Sequence, residues 1–217
     1  MTGDVTEPHN GSVIEEIRRR LAAYAARELE GDGRPRAGVL VPVFLHRGEL
    51  HVVLTRRTDH VANHRGEVSF PGGMMETRDA DIVATALRES EEEIGLRREH
   101  VRVIGRLDEL VTVSNFHVSA FVGEIDAAAL PYVWRPQASE VARVLEVPLS
   151  HALDGDNLVE LPRQRDGRLT LMEGLRFGED VVWGATWRML RNFLEVAVGG
   201  LPDGDLALRE PQGERQS

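Results

Sequence analysis

Apolar residues along the chain change their period several times, and each change marks an element. Ile14, Ile17, Leu21 and Tyr24 recur at steps of three and four between Val13 and Glu30, Ala25 and Leu29 extend the stripe, and arginines and glutamates fill the remaining positions. That spacing predicts an amphipathic helix, ended by Gly31-Asp32-Gly33-Arg34-Pro35. Two β-rich apolar runs follow, Ala37 to Leu45 and Leu50 to Thr55, and His46-Arg47-Gly48-Glu49 between them predicts a hairpin. The helical period returns from Ala80 to Glu93, with Asp79 or Asp81 placed to cap its start and Gly95 at the C′ position. Further strands are predicted at Val101 to Leu107, Phe116 to Ile125, Val141 to Val147, Asn157 to Leu161 and Leu169 to Glu173, before a last helix from Ala185 to Val198. No repeat or internal linker breaks this mixture, which reads as a single α/β (α+β) sandwich over residues 13–200. The polar, aperiodic stretches 1–12 and 201–217 read as flexible tails.

Composition narrows the chemistry. The chain has 217 residues, 36 acidic and 26 basic, a formal charge of −10. Every basic residue is an arginine, and neither lysine nor cysteine occurs. Schiff-base chemistry, a phosphate-loop lysine, a thiol nucleophile, a disulfide framework, thiolate zinc and iron–sulfur clusters are therefore excluded. The acidic balance argues against a nonspecific nucleic-acid binder. The first residues lack the charged and apolar regions of a signal peptide, and no apolar run approaches the ~18 residues of a membrane span. The expectation is a soluble, cytoplasmic protein with no membrane partner.

Carboxylates, arginines, histidines and hydroxyls remain as tools, and one stretch concentrates them. Gly72-Gly73-Met74-Met75-Glu76-Thr77-Arg78-Asp79 runs into a helix carrying Arg88, Glu89, Glu92 and Glu93. At about 100° per residue the three glutamates share one face, while Val83, Leu87 and Ile94 lie opposite as the stripe that seats the helix on a sheet. The plain reading of such a cluster is a solvated acidic face. Two features point further: a Gly-Gly turn brings bare backbone to that face, and Arg88, four residues before Glu92, can brace the carboxylates. Oxygen ligands of this kind suit Mg²⁺ or Mn²⁺, and such an ion suits a phosphate ester or anhydride.

These residues resemble the Nudix box. Arg88, Glu89, Glu92, Glu93, Gly95 and Leu96 match its second half, whereas Asp79 replaces the first glutamate, one extra residue separates Asp79 from Arg88, and Ser90 replaces an apolar position. An upstream segment resembles the signature of the coenzyme A pyrophosphatase branch: Val53-Leu54-Thr55-Arg56-Arg57-Thr58, then Gly66, then Phe70-Pro71-Gly72-Gly73. Thr58 replaces a serine or alanine there, and Ala62 stands where that signature has an arginine. Thr112 to Val118, Glu140-Val141, Val147-Pro148-Leu149 and Val182 to Thr186 are similar to the same branch, so the resemblance spans about Ala37 to Leu194.

The resemblance implies a Nudix-type α/β/α sandwich with a mixed sheet, and a metal-dependent hydrolase of a small-molecule nucleotide. On that reading Glu89, Glu92 and Glu93 hold one to three Mg²⁺ or Mn²⁺ ions, with Gly73 lending a carbonyl or permitting the turn. Glu89 serves as third ligand or as base, and Glu140 is the second candidate for the base. Asp79 pairs with Arg88, and Gly72 and Gly95 support the loop and the helix end. Arg57 first, then Arg56, is expected to hold substrate phosphates through bidentate contacts, with His64 a further candidate between the motifs. His60 and His64 stand four apart without a third ligand nearby, so no histidine metal site is expected; His51 and His117 read as surface or hydrogen-bonded strand residues. Trp134 and Trp183 read as core or interface residues, and Met74 and Met75 as packing. Three readings stay open: cleavage of coenzyme A or acyl-CoA, cleavage of NADH, ADP-ribose or another nucleoside diphosphate derivative, and nonhydrolytic nucleotide sensing. A homodimer is also open, since the first helix could seat on its own domain or on a second subunit.

Overall fold

Strand β1 (Arg36–His46) is apolar at almost every position because both of its faces are covered. Val39, Val41 and Val43 point into one hydrophobic cluster, and Leu40 and Phe44 into another on the opposite face. The computed structural model describes residues 10–31, 33–59, 66–165 and 168–199. Within them β1 forms the predicted hairpin with β2 (Glu49–Arg57), register Val43 opposite Val52. It also runs parallel to β7 (His117–Ile125), which makes the sheet mixed. The strands β3 (Val68–Ser69), β4 (Gly72–Met74), β5 (Val101–Arg106), β6 (Leu110–Val111) and β8 (Val141–Pro148) complete it, in the order β3-β2-β1-β7-β5 with β4 on β1, β6 on β7 and β8 on β2. A second sheet joins β9 (Leu158–Arg165), β10 (Arg168–Phe177) and β11 (Asp180–Trp183) in antiparallel order.

Helix α2 (Ile82–Ile94) covers one face of the large sheet, seating Ala86 and Ile94 against Leu40, Val53 and Phe121. Of the two candidate caps Asp81 is the one used, its carboxylate accepting from Ala84 N–H, and Gly95 ends the helix in the left-handed conformation. Helices α1 (Asn10–Ala23) and α4 (Gly184–Phe193), the latter continued by a π-helical turn at Leu194–Val198, cover the other face through Ile17, Leu21, Trp187, Leu190 and Phe193. The short helix α3 (Leu149–Leu153) follows β8. The expected α/β/α sandwich is thus present, and α1 sits on its own domain, where Arg18 makes a forked ion pair with Glu124 at 2.9 and 2.6 Å. Among the described residues no helix is long and apolar enough to cross a membrane.

Three expectations change. The first helix begins at Asn10, inside the stretch read as a tail, and it ends at Ala23 rather than Glu30. Residues 24–30 leave the helix because tertiary acceptors take their donors: Arg27 N–H bonds Asp108, Leu29 N–H bonds Glu109, and Tyr24 O–H bonds Asp108 at 2.6 Å. The glycine pair of the motif is a strand, not a turn, with Gly38 opposite Gly73 and Val39 opposite Gly72. The buried face of α2 comprises Thr85, Ala86, Ser90, Glu93 and Ile94, so Glu93 borders the apolar stripe while Val83 and Leu87 are only half-buried. Ser90 tolerates this burial because its hydroxyl donates to Ala86 O at 2.7 Å. Residues 1–9 and 200–217, including the stretch read as a C-terminal tail, lie outside the described residues.

Glu109 is a buried carboxylate with four polar partners. Its oxygens lie 2.8 Å from Leu29 N–H and His117 Nε2, 2.7 Å from Ser119 Oγ and 3.1 Å from Arg106 Nη2. Burial alone would raise its pKa, but the donors, Ser119 first, bring it down to about 2. Because the folded value lies below the unfolded one, this stabilisation is complete above the ordinary glutamate pKa and is lost as the pH falls from there toward about 2. Glu109→Gln should lower the urea-unfolding free energy at pH 7 by about 2–3 kcal/mol. It should also flatten the wild-type decline below pH 4.5; equal acid slopes for the two proteins would contradict the assignment.

Candidate active site

The acidic face of α2 lies over β4, and the helix comes unusually close because two residues beneath it lack side chains. A methyl group at Gly38 would stand 2.5 Å from Ile82 O and 3.0 Å from Ala86 N, both backbone atoms of α2. A methyl at Gly73 would stand 2.5 Å from the Glu89 carboxylate. The Glu89 head group therefore rests on bare glycine backbone, and the Glu93 carboxylate reaches down to accept from Gly72 N–H at 3.2 Å.

Each carboxylate of the cluster has a different environment. Glu93 is only 3% exposed. Burial pushes its pKa up to about 8, the Gly72 N–H and Arg57 pull it back, and the charges of Glu89 and Glu140 add to the rise. Burial also raises Glu89, against the opposing pull of Arg88, which donates to it at 2.8 Å. Glu92 is exposed, and its two oxygens are taken by two arginines, Arg78 Nη2 and Arg88 Nη1, each at 3.0 Å. Glu140 enters from the start of β8, where Arg57 stands between it and Glu93, 4.0 and 3.7 Å away.

Arg88 organises the group as its pairing with Asp79 requires. Its Nε and Nη2 bond Asp79 at 2.9 and 3.0 Å, Nη2 also donates to Met74 O, and Nη1 is shared by Glu89 and Glu92. The Arg88 hydrogen bonds hold the Asp79 carboxyl well below the usual range, helped by Glu76 N–H and the Thr85 hydroxyl. The extra residue between Asp79 and Arg88 leaves this forked contact intact. Because Arg88 and Arg78 draw Glu92 outward while Glu93 turns inward, no three histidine, aspartate or glutamate side chains among the described residues converge to enclose a metal ion.

The two strand arginines part company. Side chains alternate across a strand, so Arg57 emerges on the α2 face while Arg56 emerges on the other and pairs with buried Asp180 of β11 at 3.1 Å. Arg56 thus anchors the small sheet and is not brought into the carboxylate cluster with Arg57. His64 and Ala62, like His60, lie outside the described residues. His117 is hydrogen-bonded in the core, as expected; Trp134 donates to Glu146 and Trp183 stacks under Arg163 at 3.8 Å, both half-buried. The sequence reasoning missed Gly38 and Arg78. Gly38 is the one residue without a side chain in an otherwise bulky apolar run, and that signal was available; nothing local pairs Arg78 with a glutamate fourteen residues on.

A family profile described as NUDIX domain matches residues 34–148. The chain is 35% identical over 160 residues to an uncharacterized Nudix hydrolase NudL of Yersinia pestis strain Pestoides F, covering 74% of this chain and 78% of that protein. The same identity and coverage hold for a NudL protein of Yersinia pseudotuberculosis serotype O:1b strain IP 31758. Among solved structures, a MutT/nudix family protein from Enterococcus faecalis shares the fold, with a TM-score of 0.54 at 15% identity over 89% of this chain and 75% of that one.

The burial of Glu93 makes a prediction about stability. Its folded pKa is raised above the unfolded value, so its contribution is fully favourable below the ordinary glutamate pKa and is lost as pH rises through about 8. In metal-free buffer, Glu93→Gln should be more stable than the parent at pH 9, by several kcal/mol at most, and nearly equal at pH 4.5. Parallel thermal melting profiles across that range would refute the raised pKa.

Proposed function

Because the chain belongs to the Nudix hydrolase family, we propose that the carboxylate cluster over Gly72 and Gly73 is a divalent-cation-dependent pyrophosphohydrolase site whose substrate is coenzyme A or an acyl-CoA. The observation that carries the catalytic part is the pair of desolvated carboxylates, Glu89 and Glu93. They repel each other and Glu140, and they lie against backbone with no side chain between. Such a donor set fits a small hard cation, whose charge would offset the burial that raises both groups and the repulsion that adds to it. Glu89, Glu92 and Glu93 would hold Mg²⁺ or Mn²⁺, with the Gly73 carbonyl beside them. When bound, the cation supplies positive charge against the diphosphate and makes water more acidic.

The protein's own residues supply position and proton transfer. Attack of water on one phosphorus of the diphosphate breaks the bridging P–O bond, yielding 3′-phosphoadenosine 5′-phosphate and 4′-phosphopantetheine from coenzyme A. Charge accumulates on the phosphoryl oxygens along that path, so fixed cations are worth most there. Arg57 is suited to this role because its guanidinium lies at the rim between Glu93 and Glu140. Its Nε makes no hydrogen bond among the described residues. Glu89 or Glu140 takes the proton of the attacking water: Glu89 lies against the glycine backbone, and Glu140 is half-buried and faces Arg57. Arg88 holds Glu89 and Glu92 through its lock on Asp79 and touches no substrate. The preference for coenzyme A rests on the upstream segment from Val53 to Gly73, which ends in the strand under the cluster. A cytoplasmic location and a small-molecule nucleotide substrate accord with this reading.

A panel of coenzyme A, an acyl-CoA, NADH, ADP-ribose and a nucleoside triphosphate, assayed for products with Mn²⁺ or Mg²⁺, decides the substrate. Preferential release of 3′-phosphoadenosine 5′-phosphate is expected. Faster turnover of another member keeps the site and moves the specificity, and binding without turnover favours a sensor. Glu93→Gln should reduce turnover by at least about a hundredfold while remaining folded.

A further inference from the structure

Among the described residues the Arg78 side chain is held by carboxylates alone. Its Nε lies 2.8 Å from a Glu76 oxygen as an ion pair and its Nη2 donates to Glu92 at 3.0 Å, and its side chain is 60% exposed. Arg88, by contrast, is 11% exposed and fixed by Asp79 and by the carbonyl of Met74. Both guanidinium groups approach Glu92, one on each oxygen, so that carboxylate has no oxygen left without an arginine partner. Resting on the reading of Glu89, Glu92 and Glu93 as cation ligands, we propose that Arg78 is a positioning residue that competes with the divalent cation for Glu92.

The competition follows from charge and reach. A guanidinium offsets the charge of a carboxylate and takes up one of the lone pairs on the oxygen it binds, so the oxygen is a poorer ligand for a cation. A ligand set in which one member is already paired with an arginine loads only when that pair opens, and the apparent affinity falls by the fraction of open sites. Arg88 cannot be the part that yields, since its other contacts are structural and buried. Arg78 yields at little cost, because an exposed ion pair contributes only modestly. Glu76 then acts as its resting place: Arg78 keeps that partner on the same short turn, which Asp79 N–H to Glu76 O and Glu76 N–H to Asp79 Oδ2 hold closed. The cluster therefore sets the cation concentration at which the site loads, and Arg78 shifts that concentration upward.

The test is equilibrium Mn²⁺ binding to the full chain, read from the electron paramagnetic resonance signal of free Mn²⁺. Arg78→Gln should tighten binding about two- to fivefold, the range an exposed ion pair corresponds to. Arg78→Lys, which keeps the charge but loses the fork that spans two carboxylates, should fall between. The gap should narrow as salt is raised. In a Glu92→Gln background, where the contested carboxylate is gone, Arg78→Gln should add nothing. Unchanged or weaker binding in Arg78→Gln overturns the proposal, and so does a gain that persists in the Glu92→Gln background, which would mark a general charge effect. Should the parent chain bind no Mn²⁺ at millimolar concentration, the cation reading itself fails and the role of Arg78 with it. Measurable parental binding with no difference between the variants fails Arg78 alone.

Discussion

The close approach of α2 to β1 and β4 is the constraint on which the rest of the site depends. Gly38 lets the helix backbone down onto β1, and Gly73 leaves the space that the Glu89 head group fills. Once the helix is that low, Glu93 can no longer reach solvent and turns to the amide of Gly72. A carboxylate placed so costs free energy to ionise. The fold sustains it because Ala86 and Ile94 on the same helix are seated in a continuous apolar layer with Leu40, Val53 and Phe121. Packing on one side of α2 thus fixes electrostatics on the other.

Two buried glutamates lie on opposite sides of the ordinary value because burial and donors balance differently around them. Glu109 accepts from an amide and a hydroxyl, with a histidine nitrogen and a guanidinium nitrogen also in reach, and falls to about 2. Glu93 has one amide and an arginine 3.7 Å off, and rises to about 8. The first is a finished structural joint; the second is left short of positive charge. On the proposed reading, that contrast separates a carboxylate that holds the fold from one that is available for chemistry. The exclusive use of arginine sharpens it: Arg88 reaches Asp79, Glu89, Glu92 and the Met74 carbonyl at once, a geometry that a lysine ammonium could not reproduce.

Most of the sandwich was legible in the chain because the apolar periods were long and their boundaries were marked. The β1–β2 hairpin, α2 with its Asp81 cap and Gly95 end, and α4 all follow from local pattern. Elements that depend on distant partners did not. Strand β4 exists because β1 offers it a free edge, β11 is a four-residue strand completed by β10, and residues 24–30 leave their helical pattern for the side chains of Asp108 and Glu109. At the site, the placing of Glu89, Glu92 and Glu93 on neighbouring positions of one helix could be read from spacing, and the Arg88–Asp79 pair from the family resemblance. The inward turn of Glu93 was hidden, because spacing gives the face of a helix and not the depth of its border. The divergence of Arg56 and Arg57 was visible in principle, since neighbours on a strand face opposite ways.

That divergence ties two parts of the molecule mechanically. Asp180 on the small sheet is gripped by Arg56 from β2 and by Arg143 from β8, at 3.1 and 2.5 Å. One peptide bond beyond Arg56 stands Arg57, the cation at the rim of the carboxylate cluster. The β9–β10 hairpin extends from this same sheet, with Leu169 and Leu171 turned to solvent. Through Asp180 the small sheet is thus tied to the same strand that carries Arg57, so the hairpin and the carboxylate cluster share one anchoring strand.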